Sequence, residues 1–114
     1  MKKQPEHKIQ DSIRNYLVSE GWVVTLHPQG LIKRGSVIVA STPKGYPDLT
    51  ACKNNLTLYI EVKTPRGRLR DEQKAFAKKM QQHGCANVYM VARSVDDVSR
   101  WLAIHEKEVQ QSLF

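Results

Sequence analysis

Residues 49–63, Leu49-Thr50-Ala51-Cys52-Lys53-Asn54-Asn55-Leu56-Thr57-Leu58-Tyr59-Ile60-Glu61-Val62-Lys63, leave this chain little choice of local fold. From Leu56 to Lys63, Leu58, Ile60 and Val62 fall on one side while Thr57, Tyr59, Glu61 and Lys63 fall on the other. That alternation is the period of a strand with one buried face. Leu49 to Lys53 reads as a second strand. Asn54 and Asn55 lie between them, and Asn is the non-glycine residue type that most readily takes the left-handed backbone of a two-residue hairpin turn.

The turn fixes the register. With Lys53 opposite Leu56, Leu49 opposes Ile60 and Asp48 opposes Glu61, their side chains on the same face and about 5 Å apart at Cβ. Lys63 follows on that face, about 7 Å beyond Glu61. Pro43, Gly45 and Pro47 stiffen the segment that feeds Asp48, and Pro47 restrains Tyr46 to an extended backbone, which aims the carboxylate. Two carboxylates this close raise each other's pKa unless a cation neutralises them. An all-oxygen pair suits Mg²⁺ or Mn²⁺, which keeps several waters and can activate one against phosphorus. Lys63 is then placed to orient that water or to stabilise a pentavalent phosphate.

The overall charge agrees with a phosphate-bearing partner. Eighteen Lys and Arg against 11 Asp and Glu give a formal charge of +7 and a pI near 9.6, an excess that favours a polyanion. No apolar run approaches a membrane span, and the residues from Met1 to His7 lack the apolar segment of a signal peptide, so a cytoplasmic protein is expected. Cys52 and Cys85 form no CxxC pair and read as reduced, non-catalytic thiols. His7, His27, His83 and His105 form no metal-ligand pattern and read as surface or packing residues.

The length of 114 residues leaves room for one domain over residues 1–114. An amphipathic helix is expected from Glu6 to Glu20, stopped by Gly21. Strands are expected at Trp22–Leu26 and Val37–Ala40, separated by a loop that carries Pro28, Gly30, Lys33, Arg34 and Gly35. After the hairpin come a basic loop with Arg66, Arg68 and Arg70, a helix from Asp71 to about His83, and a buried strand from Asn87 to Ala92. A third helix is capped by Ser94 or Asp96, with Val95, Val98, Trp101 and Leu102 inward. The tail from Lys107 to Phe114 has no firm assignment. The order is α-β-β-β-β-α-β-α around one mixed β-sheet flanked by helices, an α/β layer fold.

Three polar residues fall on faces that should be apolar. Glu6 and Gln10 share the stripe of Ile9, Ile13 and Leu17, and Gln73 lies among Leu69, Phe76, Ala77 and Met80. Arg66, Arg68 and Arg70 directly follow Lys63 and sit at the rim of the carboxylate pair, where phosphate contact is expected.

These residues resemble the PD-(D/E)xK nuclease superfamily, with Pro47-Asp48 as one motif and Glu61-Val62-Lys63 as the other. More narrowly, the amino-terminal Glu6 helix, Gly45-x-Pro47-Asp48, Glu61-x-Lys63 and a helical Gln73 are together similar to the VRR-NUC domain, over about residues 5 to 104. The resemblance implies a restriction-endonuclease-like core and Mg²⁺ or Mn²⁺ dependence. It implies metal ligation by Asp48, Glu61 and the Val62 carbonyl, a catalytic Lys63, catalytic support from Glu6 and Gln73, and a supporting Gln10. Lys33, Arg34, Lys44, Arg66, Arg68 and Arg70 would carry the DNA backbone. It further implies a structure-specific DNA endonuclease, similar in its stand-alone phage and bacterial members to Holliday-junction resolvases that act on four-way junctions as homodimers. Trp101, Leu113 and Phe114 offer apolar area for such a dimer. Two alternatives stay open at this point: a flap or single-strand-end endonuclease, and a DNA-binding module of the same fold that does no chemistry.

Overall fold

The computed structural model describes residues 5–27, 31–40 and 43–113. In chain order the elements are α1 (Glu6–Ser19), β1 (Val23–Leu26), β2 (Leu31–Arg34), β3 (Val37–Ala40), β4 (Leu49–Lys53), β5 (Leu56–Val62), α2 (Asp71–Gln82), a 3-10 turn (Ala86–Val88), β6 (Tyr89–Ala92) and α3 (Val95–Leu113). The four-stranded sheet runs β1-β4-β5-β6, antiparallel except for the parallel β5–β6 pair.

The hairpin has the register its sequence demands. Lys53 pairs with Leu56 and Leu49 with Ile60, across a turn in which Asn54 and Asn55 adopt φ of 50° and 68°, the left-handed pair of a type I′ turn. The alternation then divides the sheet into two faces. Leu49, Ala51, Leu58, Ile60, Val62 and Ala92 are buried against Ile9, Ile13 and Leu17 of α1 and Val98 and Leu102 of α3. Glu61 and Tyr59 point the other way, toward α2, whose Phe76 packs against Tyr46 and Tyr89 and whose Gln73 reaches Glu61. The apolar core thus holds one face rigid while the opposite face is left for polar groups.

The expected loop between β1 and β3 is a strand over part of its length. Leu31–Arg34 pairs with Val37–Ala40 as an antiparallel hairpin, in a sheet of its own. One mixed sheet is therefore corrected to a four-stranded sheet plus a two-stranded one. Lys33 and Arg34 lack the alternation that marks a strand, and the backbone pairing with Val37–Ala40 supplies the order instead. The last strand is also shorter than expected, because Ala86–Val88 forms a 3-10 turn before β6.

Helix ends follow local chemistry. At the end of α1, Lys53 Nζ donates to the Glu20 carbonyl at 2.7 Å and lies 5.9 Å from the centre of the Trp22 ring, joining the helix terminus to the hairpin. Lys53→Ala is expected to cost about 1 kcal/mol in urea unfolding; an unchanged midpoint would remove this cap from the account. At α3, the Asp97 N–H donates to Ser94 Oγ at 3.2 Å, so Ser94 rather than Asp96 caps the helix. The helix continues through Leu113. Trp101 packs on the core and stacks on His105 at 3.8 Å, so it is not the open apolar area expected of it; the Leu113 side chain and Phe114 lie outside the described residues. Among the described residues no helix is long and apolar enough to cross a membrane.

Candidate active site

Among the described residues the buried polar or charged side chains are Asp48, Glu61, Lys63 and Gln73. Burial of charge is costly unless the charge is paired, so their partners define the site. Asp48 precedes β4, and its Oδ2 accepts the Val62 N–H at 2.8 Å. Glu61 is 1% exposed. Its Oε1 accepts Gln73 Nε2 at 2.5 Å and lies 3.9 Å from Lys63 Nζ. Its Oε2 is buried with no hydrogen-bond partner among the described residues.

The Gln73 amide is oriented from behind. Its Oε1 accepts the Arg70 N–H at 2.8 Å, half of a capping box at the start of α2, and so Nε2 is turned toward Glu61. The loop before Asp48 is held by contact with the same helix end. The Tyr46 N–H donates to the Pro43 carbonyl at 3.2 Å and Gly45 has φ of 84°, a type II turn with glycine where positive φ is needed. The turn lies directly on the backbone of Glu72 and Gln73. Loop and helix therefore carry Asp48 and Gln73 as one packed unit.

The electrostatics are those of two carboxyls buried close together. Burial, then the neighbouring Asp48, pushes Glu61 up to about 8. Burial also raises Asp48, against the opposing pull of the Val62 N–H bond. Glu6, exposed in the first turn of α1, is near enough to raise both carboxyls, and the Arg70 charge lowers both. A divalent ion fits this donor set. Two carboxylates want neutralising, Glu61 Oε2 has no hydrogen-bond partner among the described residues, and every donor is oxygen, the preference of Mg²⁺ and Mn²⁺. Among the described residues no three His, Cys, Asp or Glu side chains gather at metal-binding distance.

The remaining expected residues are distributed around this centre. Gln10 is half-buried one turn after Glu6, and Lys44, Arg66, Arg68 and Arg70 are exposed. The side chains of Lys33 and Arg34 lie outside the described residues, as do Pro28 and Gly30. His27 lies beside the site rather than apart from it. Its N–H donates to the Asp48 carbonyl at 2.8 Å, its Nε2 is 2.5 Å from Thr50 Oγ1, and its ring meets Tyr46 edge-on.

Sequence reasoning passed over two residues. Tyr89 carries a buried hydroxyl without a partner among the described residues, pushed up to about 12 by burial and by Glu61 and Asp48. Arg93 follows β6 and donates into the loop after Lys63. Neither carried a sequence signal, because both depend on the parallel β5–β6 pairing, which sets Glu61 beside Val91 and Val62 beside Ala92.

A VRR-NUC domain family model matches residues 33–95, more than half of the chain. The chain belongs to the VRR-NUC family. A solved VRR-NUC domain structure superposes with a TM-score of 0.64 at 19% identity, covering 87% of this chain and 95% of that one. At that identity the likeness bears on the fold, which is the nuclease-like α/β arrangement of a mixed sheet flanked by helices. No curated protein matches the chain. Membership makes this a nuclease-type domain, and in this VRR-NUC domain the motif residues Asp48, Glu61 and Lys63 all fall within the matched segment.

Proposed function

We propose that this VRR-NUC domain, taken as one unit over residues 1–114, is a Mg²⁺- or Mn²⁺-dependent endodeoxyribonuclease that cuts branched DNA, resolving four-way junctions as a homodimer in the cytoplasm of a bacterial or phage-infected cell. The observation that carries the reading is the buried Asp48–Glu61 pair with an unpartnered Glu61 oxygen beside the Lys63 ammonium. Carboxylates in that state favour a divalent ion over any neutral ligand. Asp48, Glu61 and the Val62 carbonyl would hold it. When bound, the ion supplies Lewis acidity toward a phosphate oxygen and lowers the pKa of water.

The chain's own residues do the rest. Gln73 fixes the rotamer of Glu61, so that Oε1 is occupied and Oε2 is presented. Lys63 brings a positive charge to where negative charge grows as water adds to phosphorus and the ester oxygen leaves. Glu6 sits at the rim as an outer or second-ion ligand, supported by Gln10. Lys33, Arg34, Lys44, Arg66, Arg68 and Arg70 meet the DNA backbone, consistent with the net charge of +7. A two-fold dimer would offer identical sites to opposed strands of a symmetric junction.

The experiment is cleavage of labelled four-way junction, 5′-flap and linear duplex DNA, each with Mg²⁺, Mn²⁺ or EDTA. Paired symmetric nicks in the junction are expected, abolished by EDTA. Lys63→Ala is expected to lower the rate roughly a thousandfold while Mn²⁺ still raises its melting temperature. Flap cutting by a monomer would replace the resolvase with a flap endonuclease, and binding without cleavage in every metal would overturn the enzyme.

A further inference from the structure

Arg93 makes contacts that the chemistry above does not require. Its Nη1 donates to the Thr64 carbonyl at 2.6 Å and to the Gly67 carbonyl at 2.6 Å, with the Pro65 carbonyl at 3.4 Å. A guanidinium nitrogen of this kind carries two hydrogens, so the two short bonds use both. The Thr64 carbonyl also accepts the Gly67 N–H at 3.0 Å, closing a turn with Pro65 and Arg66 at its corners. The turn is close-packed at its end, since a Cβ on Gly67 would stand 2.8 Å from Thr64 Oγ1, which would have to turn aside.

The clamp is itself anchored. The Arg93 N–H donates to Asp97 Oδ2 at 2.8 Å, in the first turn of α3, and the neighbouring Lys63 N–H donates to the Ala92 carbonyl at 3.0 Å. Lys63 and Arg93 thus leave the β5–β6 pair side by side, one toward Glu61 and the other into the turn. Arg93 is half-buried, whereas Arg66 at the corner and Arg68 beyond it are exposed. With its Nη1 hydrogens committed to carbonyls, Arg93 serves the loop and leaves the outward cations to meet a ligand.

We infer that Arg93 is a positioning residue for DNA binding: it holds the Thr64–Gly67 turn so that Arg66 and Arg68 present two cations to the phosphates next to the one Lys63 faces. This rests on the nuclease reading above. A lysine at 93 would keep the charge but lose the planar fork that spans two carbonyls.

The test is equilibrium binding of labelled four-way junction DNA in EDTA over a range of salt, for the parent, Arg93→Gln, Arg93→Lys, Arg66→Ala/Arg68→Ala and the triple variant with Arg93→Gln. Two lost phosphate contacts reduce the slope of log K against log salt by about 2 and weaken binding roughly tenfold. Both Arg93→Gln and Arg66→Ala/Arg68→Ala are expected to show that loss, the triple variant no more than either, and Arg93→Lys no rescue. Mn²⁺ should still raise the melting temperature of each. Should Arg93→Gln not fold, Arg93→Lys carries the same cycle. Additive losses, or full recovery with lysine, would overturn the inference while leaving the nuclease reading intact. A parent protein that binds no DNA would overturn that reading itself.

Discussion

Glu61→Gln is expected to abolish cleavage and, without metal, to make the protein more stable than its parent at pH 8. The first effect follows from the proposed role of Glu61 as a metal ligand, whose charge the variant removes, and is a fall of roughly a thousandfold or more in rate. The second follows from burial. Glu61 has its folded pKa near 8 against an ordinary 4.5, so the folded protein keeps a proton that the unfolded chain releases. A raised acid contributes no penalty below about 4.5, where both states are protonated. As pH rises from there toward 8, the parent loses stability at up to about 1.4 kcal/mol per pH unit.

The glutamine variant has no proton to lose at this position, so its stability should fall less steeply than the parent's over the same window. Its amide oxygen can still accept from Gln73. Urea unfolding in EDTA at pH 5, 6.5 and 8 measures the difference, with the two curves meeting at the acid end. Added Mn²⁺ should raise the stability of the parent, because an ion held only by the folded state shifts the equilibrium by mass action. It should do little for the variant. Equal Mn²⁺ stabilisation of both proteins would show that Glu61 is not a ligand.

Gly45→Ala is expected to destabilise the fold by roughly 3 kcal/mol or more, with loss of activity beyond the loss of stability. A Cβ at this position would stand 2.1 Å from the Glu72 carbonyl oxygen and 2.6 Å from its carbon. These are backbone atoms of α2, which cannot turn aside as a side chain can. The φ of 84° adds left-handed strain for any residue with a Cβ. Relief requires the loop and the start of α2 to separate, which would draw Gln73 from Glu61 and shift Asp48 together.

Gly84→Ala supplies the control. It has φ of 75°, yet a Cβ there would meet nothing within 4 Å, so only the conformational cost of about 1 kcal/mol is expected. The difference between the two variants in urea unfolding isolates the close approach of loop and helix. Equal losses would mean that the helix end yields, and that Gly45 is needed for its backbone angle alone.

The β4–β5 register, with Leu49 opposite Ile60, and with it the nearness of Asp48 to Glu61 and the placing of Lys63, was determined by the sequence itself. Period-two alternation allows one inward face, two asparagines allow one kind of turn, and together they allow one register. The inward position of Gln73 was legible for a similar reason, since helical periodicity reveals a polar residue on an apolar stripe, and the same count placed Glu6 inward as well. The outcomes differ: Gln73 is buried against Glu61, while Glu6 is exposed at the rim and acts on the carboxyls by charge.

What only the tertiary structure decided depends on contacts between distant segments, which periodicity does not encode. The Leu31–Arg34 strand is ordered by its partner rather than by its own pattern. Gly45 matters because a helix that begins 26 residues later in the chain comes to rest on it. Arg93 reads as one more basic residue until β6 is laid parallel to β5, when its guanidinium reaches across to close the loop that starts at Thr64. Local alternation fixes which side of a strand a residue faces; which strand lies beside it is settled only when the whole sheet assembles.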